Sequence, residues 1–211
     1  MLSRNARVVS NALFTPPAML LLRLRVSPDA VTVVGTLGAV AAALVLYPRG
    51  ELFWGSFVVT LFVCSDMLDG IMARTLAQRG VVRSGRWGAF LDSTLDRFAD
   101  SAIFAGLAIW FVRDGDDALT AGLALLCLVL GSLVSYAKAR AEGLGFTANV
   151  GIAERSDRLV AVLVGAGFVG LGVPQPFLTV VLGLLAVASL VTVGQRMATV
   201  HRQAAAALGD A

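Results

Sequence analysis

Residues 52–74 read LFWGSFVVTLFVCSDMLDGIMAR, an uncharged apolar run that ends in two acids, a glycine and an arginine. Three more acids, Asp92, Asp96 and Asp100, stand near the start of the next long apolar stretch. A carboxylate within a lipid bilayer is costly unless it is paired or bound to a metal. The five acids therefore predict a functional site inside a membrane protein.

The composition of the whole chain supports a membrane protein. Its 211 residues are 57% hydrophobic, and the mean hydropathy is +0.82. Uncharged stretches recur at the length that crosses about 30 Å of hydrocarbon. A soluble domain of this size would have to bury several such stretches as complete helices, so the hydropathy disfavours that class. The predicted fold class is an all-α membrane protein.

Six membrane spans can be drawn, and each is expected to be a helix because lipid offers the backbone no partner outside the segment. Ser27 followed by Pro28 is typical of a helix cap and first turn. The predicted spans are residues 29–47, 52–74, 87–112, 118–142, 155–173 and 177–197.

The chain is predicted to be one membrane domain over residues 1–211. Residues 1–26 mix arginines with apolar residues, which is typical of an amphipathic helix on the membrane surface. A six-helix bundle follows at residues 29–197, and residues 198–211 are predicted to be a short tail.

The basic residues predict the orientation of the chain. With the N-terminus inside, all but two of the 17 basic residues, Arg49 and Arg113, fall on the cytoplasmic side. The positive-inside rule then predicts that both termini are cytoplasmic. The five acids fall on the same side, so we expect a multi-pass protein of the plasma (inner) membrane whose site faces the cytoplasm.

The spacing of the acids indicates a metal site. Asp66 and Asp69 are three residues apart and Asp92 and Asp96 are four apart, so each pair shares a helix face. Oxygen ligands favour Mg²⁺ or Mn²⁺, and a zinc site is disfavoured because the single histidine is His201. Four carboxylates exceed the need of one ion. We therefore predict two ions, which would clamp the oxygens of a phosphoryl displacement.

Small residues accompany the acids. Gly70, Ala73 and Gly88 remove side-chain bulk where a ligand could approach the backbone. The same residues could instead allow membrane helices to pack closely, and the sequence leaves both interpretations open. Arg74 adds a guanidinium group suited to a pyrophosphate.

Two runs carry a family resemblance: D-x2-D-G-x2-A-R at residues 66–74 and G-x3-D-x3-D at residues 88–96. They resemble the signature of the CDP-alcohol phosphotransferase family, and every fixed position is filled. The spacer of thirteen residues between Arg74 and Gly88 is longer than is usual there. The resemblance implies transfer of a phosphatidyl group from CDP-diacylglycerol to an alcohol, with CMP leaving, and it implies a homodimer.

The resemblance also implies roles for particular residues. The metal ligands would be Asp66, Asp69, Asp92 and Asp96, and Asp96 would also be the general base. CDP-diacylglycerol would contact Asp29, Ala30, Val31, Thr32, Gly70, Ala73, Arg74, Gly85 and Gly88. Residues 29–32 could equally be a plain helix cap, and Ser84 is as good a candidate as Gly85. Asp100 lies outside the signature, so we expect it to pair with an arginine.

A second polar cluster is predicted to bind the acceptor alcohol. It comprises S-Y-x-K-A-R-A-E at residues 135–142, E-R-x-x-R at residues 154–158, and Arg196. Attraction of cations to lipid head groups accounts for Arg140 and Arg202 but less well for the rest. A pocket with several cations predicts an acceptor that carries its own phosphate.

The same tracts resemble the branch of the family that uses an inositol phosphate. The resemblance implies 1D-myo-inositol 3-phosphate as the acceptor, held by Ser135, Lys138, Arg155, Arg158 and Arg196. The nearest alternative acceptor is glycerol 3-phosphate, but the R-E-x-x-x-S-x-L-R-E run expected for it is missing. An ion or proton transporter is a remote alternative, since its acids would be spread across the membrane depth. No nucleic-acid partner is predicted.

Overall fold

The computed structural model describes residues 4–79 and 85–209, with side chains at 13–79 and 85–207. Residues 1–3 and the side chains of 4–12, in the predicted interfacial segment, lie outside this part, as does Ser84. Within it every regular element is helical, as predicted for the fold class. The helices are α1 (Arg4–Arg23), α2 (Pro28–Leu46), α3 (Leu52–Val63), α4 (Ser65–Gln78), α5 (Gly85–Arg113), α6 (Ala118–Gly143), α7 (Arg155–Gly170) and α8 (Pro176–Gly209).

Helical stretches long and apolar enough to cross a membrane number four in the described chain. They are Pro28–Arg49, Leu52–Gln78, Ala118–Gly143 and Pro176–Ala207. The other two predicted spans are also helices, but they differ in character. The first half of α5 carries several charges, and α7 has only 16 residues. The residues predicted as a tail continue α8 to Gly209, because their alanine-rich sequence favours helix.

The helix boundaries follow from local sequence. The Ser27 hydroxyl accepts a hydrogen bond from the Ala30 N–H at 3.1 Å, which confirms the predicted cap with Pro28 as the first helical residue. A short 3₁₀ turn, Tyr47–Arg49, ends α2, and Gly50 follows it at a φ of 79°, where glycine is favoured.

The described chain divides into two compact units. The first unit comprises Met1–Ala42 and Val58–Ala99. Its apolar core joins three helices through Ala18 of α1, Val31 of α2, and Ile71 and Met72 of α4. These contacts hold the start of α2 beside α4, the two segments that carry the predicted nucleotide contacts and the first predicted metal ligands.

Close packing of α2 in the first unit depends on two glycines. A Cβ on Gly35 would overlap the Ser65 side chain, and a Cβ on Gly38 would overlap the ring of Phe62. These glycines therefore allow α2 to approach the junction of α3 and α4.

The second unit comprises Ala43–Phe57 and Asp100–Ala211. Within it α6 and α8 run parallel, because successive residues of one contact successive residues of the other. The contacts are Thr120 Oγ1 to Thr179 Oγ1 at 2.6 Å, Cys127 Sγ to the Leu182 carbonyl at 3.2 Å, and Arg196 to the Val134 carbonyl. The C-terminal ends of both helices therefore lie on the same side.

Candidate active site

Three carboxylates meet in the first unit. Asp66 lies in the first turn of α4, and Asp92 and Asp96 lie one turn apart on α5. One oxygen from each is within 4.8 Å of the others. Because three negative charges at this separation repel one another, a cation would stabilise the arrangement. Donors that are all carboxylate oxygens suit a hard ion such as Mg²⁺ or Mn²⁺.

Asp69, the fourth predicted metal ligand, is placed differently. Its Oδ2 accepts a hydrogen bond from the hydroxyl of Thr32 on α2. It is not a member of the three-carboxylate cluster, so its role as a ligand stays a prediction. Thr32 is buried and does not cap α2, since Ser27 does. The Thr32 hydroxyl instead ties the start of α2 to α4.

The small residues beside the acids border open space. Among the described residues, nothing lies within 4 Å of a Cβ added to Gly70, Gly85 or Gly88. This contrasts with Gly35 and Gly38, where a Cβ would overlap a neighbouring side chain. Glycine therefore serves close helix packing at Gly35 and Gly38 of α2. At Gly70 and Gly88 it leaves room for a ligand. Ala73 and Arg74, on the next turn of α4, are exposed.

Arg97 is a feature of the site that the sequence analysis missed. Its Nη2 lies 3.4 Å from Asp96 Oδ2, and its side chain is 36% exposed. A partly exposed pair at this distance contributes little stability. It does place one positive charge beside the predicted base. The position of Arg97 directly after Asp96 in the sequence could have indicated this contact.

The predicted pairing of Asp100 is confirmed in the second unit. Asp100 Oδ1 accepts a hydrogen bond from Arg155 Nε at 3.1 Å, and Asp100 Oδ2 lies 3.9 Å from Arg158 Nη2. The Arg158 side chain is 2% exposed and also donates to the Ala153 carbonyl at 3.2 Å. Arg158 therefore belongs to a buried network that the protein itself completes.

Arg196 is likewise engaged by the protein. Its Nε donates to the Val150 carbonyl at 3.0 Å, its Nη1 donates to the Val134 carbonyl, and the residue is 6% exposed. By contrast Lys138 is 43% exposed and lies 3.9 Å from Glu142, one turn away on α6. Of the five predicted acceptor residues, Lys138 and Arg155 are thus more accessible than Arg158 and Arg196; Ser135 is half-buried on α6.

The segment at residues 146–154, which has no regular secondary structure, is held by α8 through groups that the sequence did not single out. The Thr192 hydroxyl oxygen accepts hydrogen bonds from the N–H groups of Ile152 and Ala153 at 3.2 and 3.1 Å. The Gln203 amide bonds the backbone of Thr147 at 3.0 and 2.6 Å. No local pattern predicts these bonds, because the partners are far apart in sequence.

Proteins of known family resemble this chain over most of its length. The family model described as CDP-alcohol phosphatidyltransferase matches residues 25–191. A phosphatidylinositol phosphate synthase from Streptomyces avermitilis is 52% identical, covering 98% of this chain and 85% of that protein. A protein of the same name from Mycobacterium tuberculosis (strain ATCC 25618 / H37Rv) is 47% identical, covering 88% of this chain and 84% of that protein.

Solved structures agree with the sequence comparison. A crystal structure of the M. tuberculosis phosphatidylinositol phosphate synthase with CDP-DAG bound matches with a TM-score of 0.82 at 46% identity, covering 90% of this chain and 94% of that one. The same protein in complex with manganese and citrate matches with a TM-score of 0.82 at 47% identity, covering 89% and 88%. The chain described here therefore belongs to the CDP-alcohol phosphatidyltransferase family.

Proposed function

We propose that this enzyme transfers the phosphatidyl group of CDP-diacylglycerol to 1D-myo-inositol 3-phosphate, giving phosphatidylinositol phosphate and CMP. The observation that carries the proposal is the meeting of Asp66, Asp92 and Asp96 within 4.8 Å, at the signature positions of a family to which the chain belongs. The names of its relatives, at about half sequence identity, support the choice of acceptor.

The carboxylate cluster is the proposed metal centre. Asp66, Asp92 and Asp96 would hold Mg²⁺ or Mn²⁺, and Asp69 is the proposed fourth ligand, which would also support a second ion. Bound there, a divalent cation would supply electrostatic stabilisation of the phosphoryl oxygens during displacement. The manganese complex of the M. tuberculosis relative supports this choice of ion.

Asp96 is the proposed general base. Its carboxylate takes the proton of the acceptor hydroxyl as that oxygen forms a bond to the phosphorus that carries the diacylglycerol. The bond from this phosphorus to the bridging oxygen breaks, and CMP leaves with that oxygen. Arg97 Nη2 lies 3.4 Å from Asp96 Oδ2 and places a positive charge beside the proposed base.

The donor is proposed to bind along the start of α2 and the exposed face of α4. The Thr32–Asp69 hydrogen bond fixes these two segments to each other. Open space at Gly70 and Gly88 admits the nucleotide, and the exposed Arg74 is suited to its phosphates. The full set proposed for CDP-diacylglycerol is Asp29, Ala30, Val31, Thr32, Gly70, Ala73, Arg74, Gly85 and Gly88.

The acceptor residues are proposed to divide into two groups. Ser135, Lys138 and Arg155 contact the inositol phosphate, because Lys138 and Arg155 retain exposed surface. Arg158 and Arg196 are buried; they hold the surrounding backbone and add positive charge to the acceptor site. Their burial and their bonds to carbonyl oxygens support this division.

The enzyme is proposed to cross the plasma membrane six times as a homodimer, with α1 at the membrane surface and both termini and the site in the cytoplasm. The distribution of basic residues supports the orientation. The 29 residues of α5 would extend about 43 Å, enough to span the bilayer despite the charges near its start. Cysteine-labelling from each side of intact vesicles would test the topology, and labelling of Arg202→Cys from outside the cell would contradict it.

The function is tested by CMP release. Purified enzyme with Mg²⁺ or Mn²⁺ should release CMP from CDP-diacylglycerol when inositol 3-phosphate is present. Glycerol 3-phosphate, the acceptor of the nearest alternative, should give release no higher than the blank without acceptor. CMP release with glycerol 3-phosphate but not with inositol phosphate would contradict the proposed acceptor. No release with either alcohol would contradict the proposed reaction.

A further inference from the structure

A groove lies between α6 and α8 in the second unit, and Arg196, one of the proposed acceptor residues, is among the residues that line it. It is a cavity of about 450 Å³ with an almost wholly apolar lining. Leu133 and Tyr136 line it from α6, and Val193 and Met197 line it from α8. We call it the α6–α8 groove.

Three basic residues line the α6–α8 groove: Arg196, which donates to the Val134 and Val150 carbonyls, and Arg140 and His201. Arg140 follows Leu133 by two helical turns, and His201 follows Val193 by about two turns. Because α6 and α8 run parallel, both side chains lie toward the C-terminal end of the groove. The groove therefore has an apolar lining, and Arg140 and His201 stand toward its C-terminal end.

Arg140 and His201 are available to a ligand. Both residues are exposed, and within the described chain no hydrogen bond or ion pair engages either side chain. The neighbouring basic residues differ, since Lys138 lies 3.9 Å from Glu142 and Arg196 donates to backbone carbonyls. An unpaired arginine beside a histidine at the end of an apolar groove is suited to a phosphate that carries an apolar chain.

The position of the groove favours a membrane lipid as its occupant. Ala118–Gly143 and Pro176–Ala207 are both long and apolar enough to cross a membrane. Arg140 lies three residues before the end of α6, where a basic side chain reaches the head-group region. Basic pockets between membrane helices are known to bind anionic head groups. An acyl chain in the apolar part and a phosphate at Arg140 and His201 would complement both ends.

We propose that the α6–α8 groove binds an anionic phospholipid of the surrounding membrane as a bound, non-substrate lipid. Binding of this lipid should require neither a metal ion nor contacts to a nucleotide, which distinguishes it from binding of CDP-diacylglycerol. None of the residues proposed for the donor lines the groove.

The test measures lipid binding without metal. The purified full-length enzyme is kept in a neutral detergent with EDTA and titrated with phosphatidylglycerol or, separately, phosphatidylcholine, while its melting temperature is followed. Phosphatidylglycerol should raise the melting temperature more than phosphatidylcholine. The double variant Arg140→Gln with His201→Gln should bind phosphatidylglycerol about tenfold more weakly, as expected for the loss of charge-assisted hydrogen bonds.

The matched control is Arg202→Gln. Arg202 directly follows His201 but bonds only within α8 and does not line the groove. This variant should keep the full response to phosphatidylglycerol. An equal response of the double variant and the wild type, or an equal loss in Arg202→Gln, would overturn the assignment.

Two further measurements keep the test decisive. CMP release by the double variant, assayed in the same detergent, should equal that of the wild type, which shows that the protein is folded. A second copy of the chain would be the competing occupant. Rapid disulfide cross-linking of Met197→Cys into dimers, with no effect of phosphatidylglycerol on its rate, would show that a second copy fills the groove and would overturn the lipid.

Discussion

Charge is compensated in different ways in the two units. In the first, Asp66, Asp92 and Asp96 place three like charges within 4.8 Å. In the second, Arg155 and Arg158 face Asp100, and Arg196 donates to backbone carbonyls. A cation from outside the chain would compensate the acids, whereas Arg158 and Arg196 are satisfied by groups of the chain itself.

A charged cluster that needs a ligand differs from one that supports the backbone. Residues of one sign that converge indicate a ligand of the opposite sign. Residues that are buried with their own counter-charges and carbonyls indicate support for the backbone. By this criterion the carboxylate cluster is the proposed reaction site, and the proposed role of Arg158 and Arg196 is to hold the segment that leads to the acceptor residues.

The largest effect is expected from Asp96→Asn. The amide cannot take the acceptor proton and is a weaker metal ligand, so CMP release should fall by about a thousandfold or more. The melting temperature in EDTA should not fall, because the substitution removes a repelling charge. Asp114→Asn, at an exposed position after α5, is the control and should retain full activity. Substantial turnover by Asp96→Asn would remove Asp96 from the role of base.

Asp100→Asn should have the opposite profile. It removes the carboxylate charge that faces the buried Arg158 at 3.9 Å, so the free energy of unfolding should fall by about 3 kcal/mol. Denaturant unfolding in detergent, compared with Asp114→Asn, measures the change. If Asp100→Asn abolished turnover while the stability stayed at the wild-type value, Asp100 would belong with the reactive acids and the comparison would fail.

Thr192 tests whether α8 positions the acceptor residues through the backbone. Thr192→Val leaves the N–H groups of Ile152 and Ala153 without their acceptor, at a cost of about 1–3 kcal/mol. Because this segment leads into Arg155, the KM for inositol phosphate should rise more than the KM for CDP-diacylglycerol. Thr192→Ser keeps the hydroxyl and should restore both values. Equal changes in the two KM values would indicate general damage instead.

The smallest effect is expected at Asp117, which belongs to neither charged cluster. Asp117 caps α6, accepting hydrogen bonds from the Thr120 hydroxyl at 2.5 Å and the Thr120 N–H at 3.0 Å. These bonds hold the pKa of Asp117 below its usual range. Asp117→Ala should lower stability by about 1 kcal/mol at neutral pH.

The contribution of Asp117 depends on pH in a defined direction. The pKa of Asp117 is lower in the folded state than in the unfolded chain, where it is about 4. The stability that Asp117 contributes is therefore fully present above about pH 4 and is lost as the pH falls through the folded-state pKa. Unfolding curves of wild type and Asp117→Ala should therefore converge below that range. A difference that stays constant into strong acid would show that the cap does not depend on ionisation.

Much of the fold was predictable because it depends on local patterns. Hydropathy located helices at all six predicted spans, and Ser27 with Pro28 identified the start of α2. The acid spacing on α5 placed Asp92 and Asp96 together, since residues four apart share a helix face. Asp100 was also correctly expected to pair with an arginine.

The remaining features depend on contacts between distant residues. Arg196 shows a positive charge in the sequence, but nothing local indicates that the carbonyls of Val134 and Val150, 62 and 46 residues away, lie within reach. Thr192 bonds backbone groups about 40 residues away. Asp69 lies three residues after Asp66, a spacing that suggests a second metal ligand on the same helix face. Its side chain instead accepts a hydrogen bond from Thr32, 37 residues away on α2.

Binding of Mn²⁺ to the metal-free enzyme tests the central distinction most directly. Titration followed by electron paramagnetic resonance should show saturable binding to the wild type and to Asp114→Asn, and binding at least about tenfold weaker in Asp92→Asn, which loses one charged ligand. Binding by Asp92→Asn with the affinity and stoichiometry of the wild type would contradict the assignment of the carboxylate cluster as the metal centre.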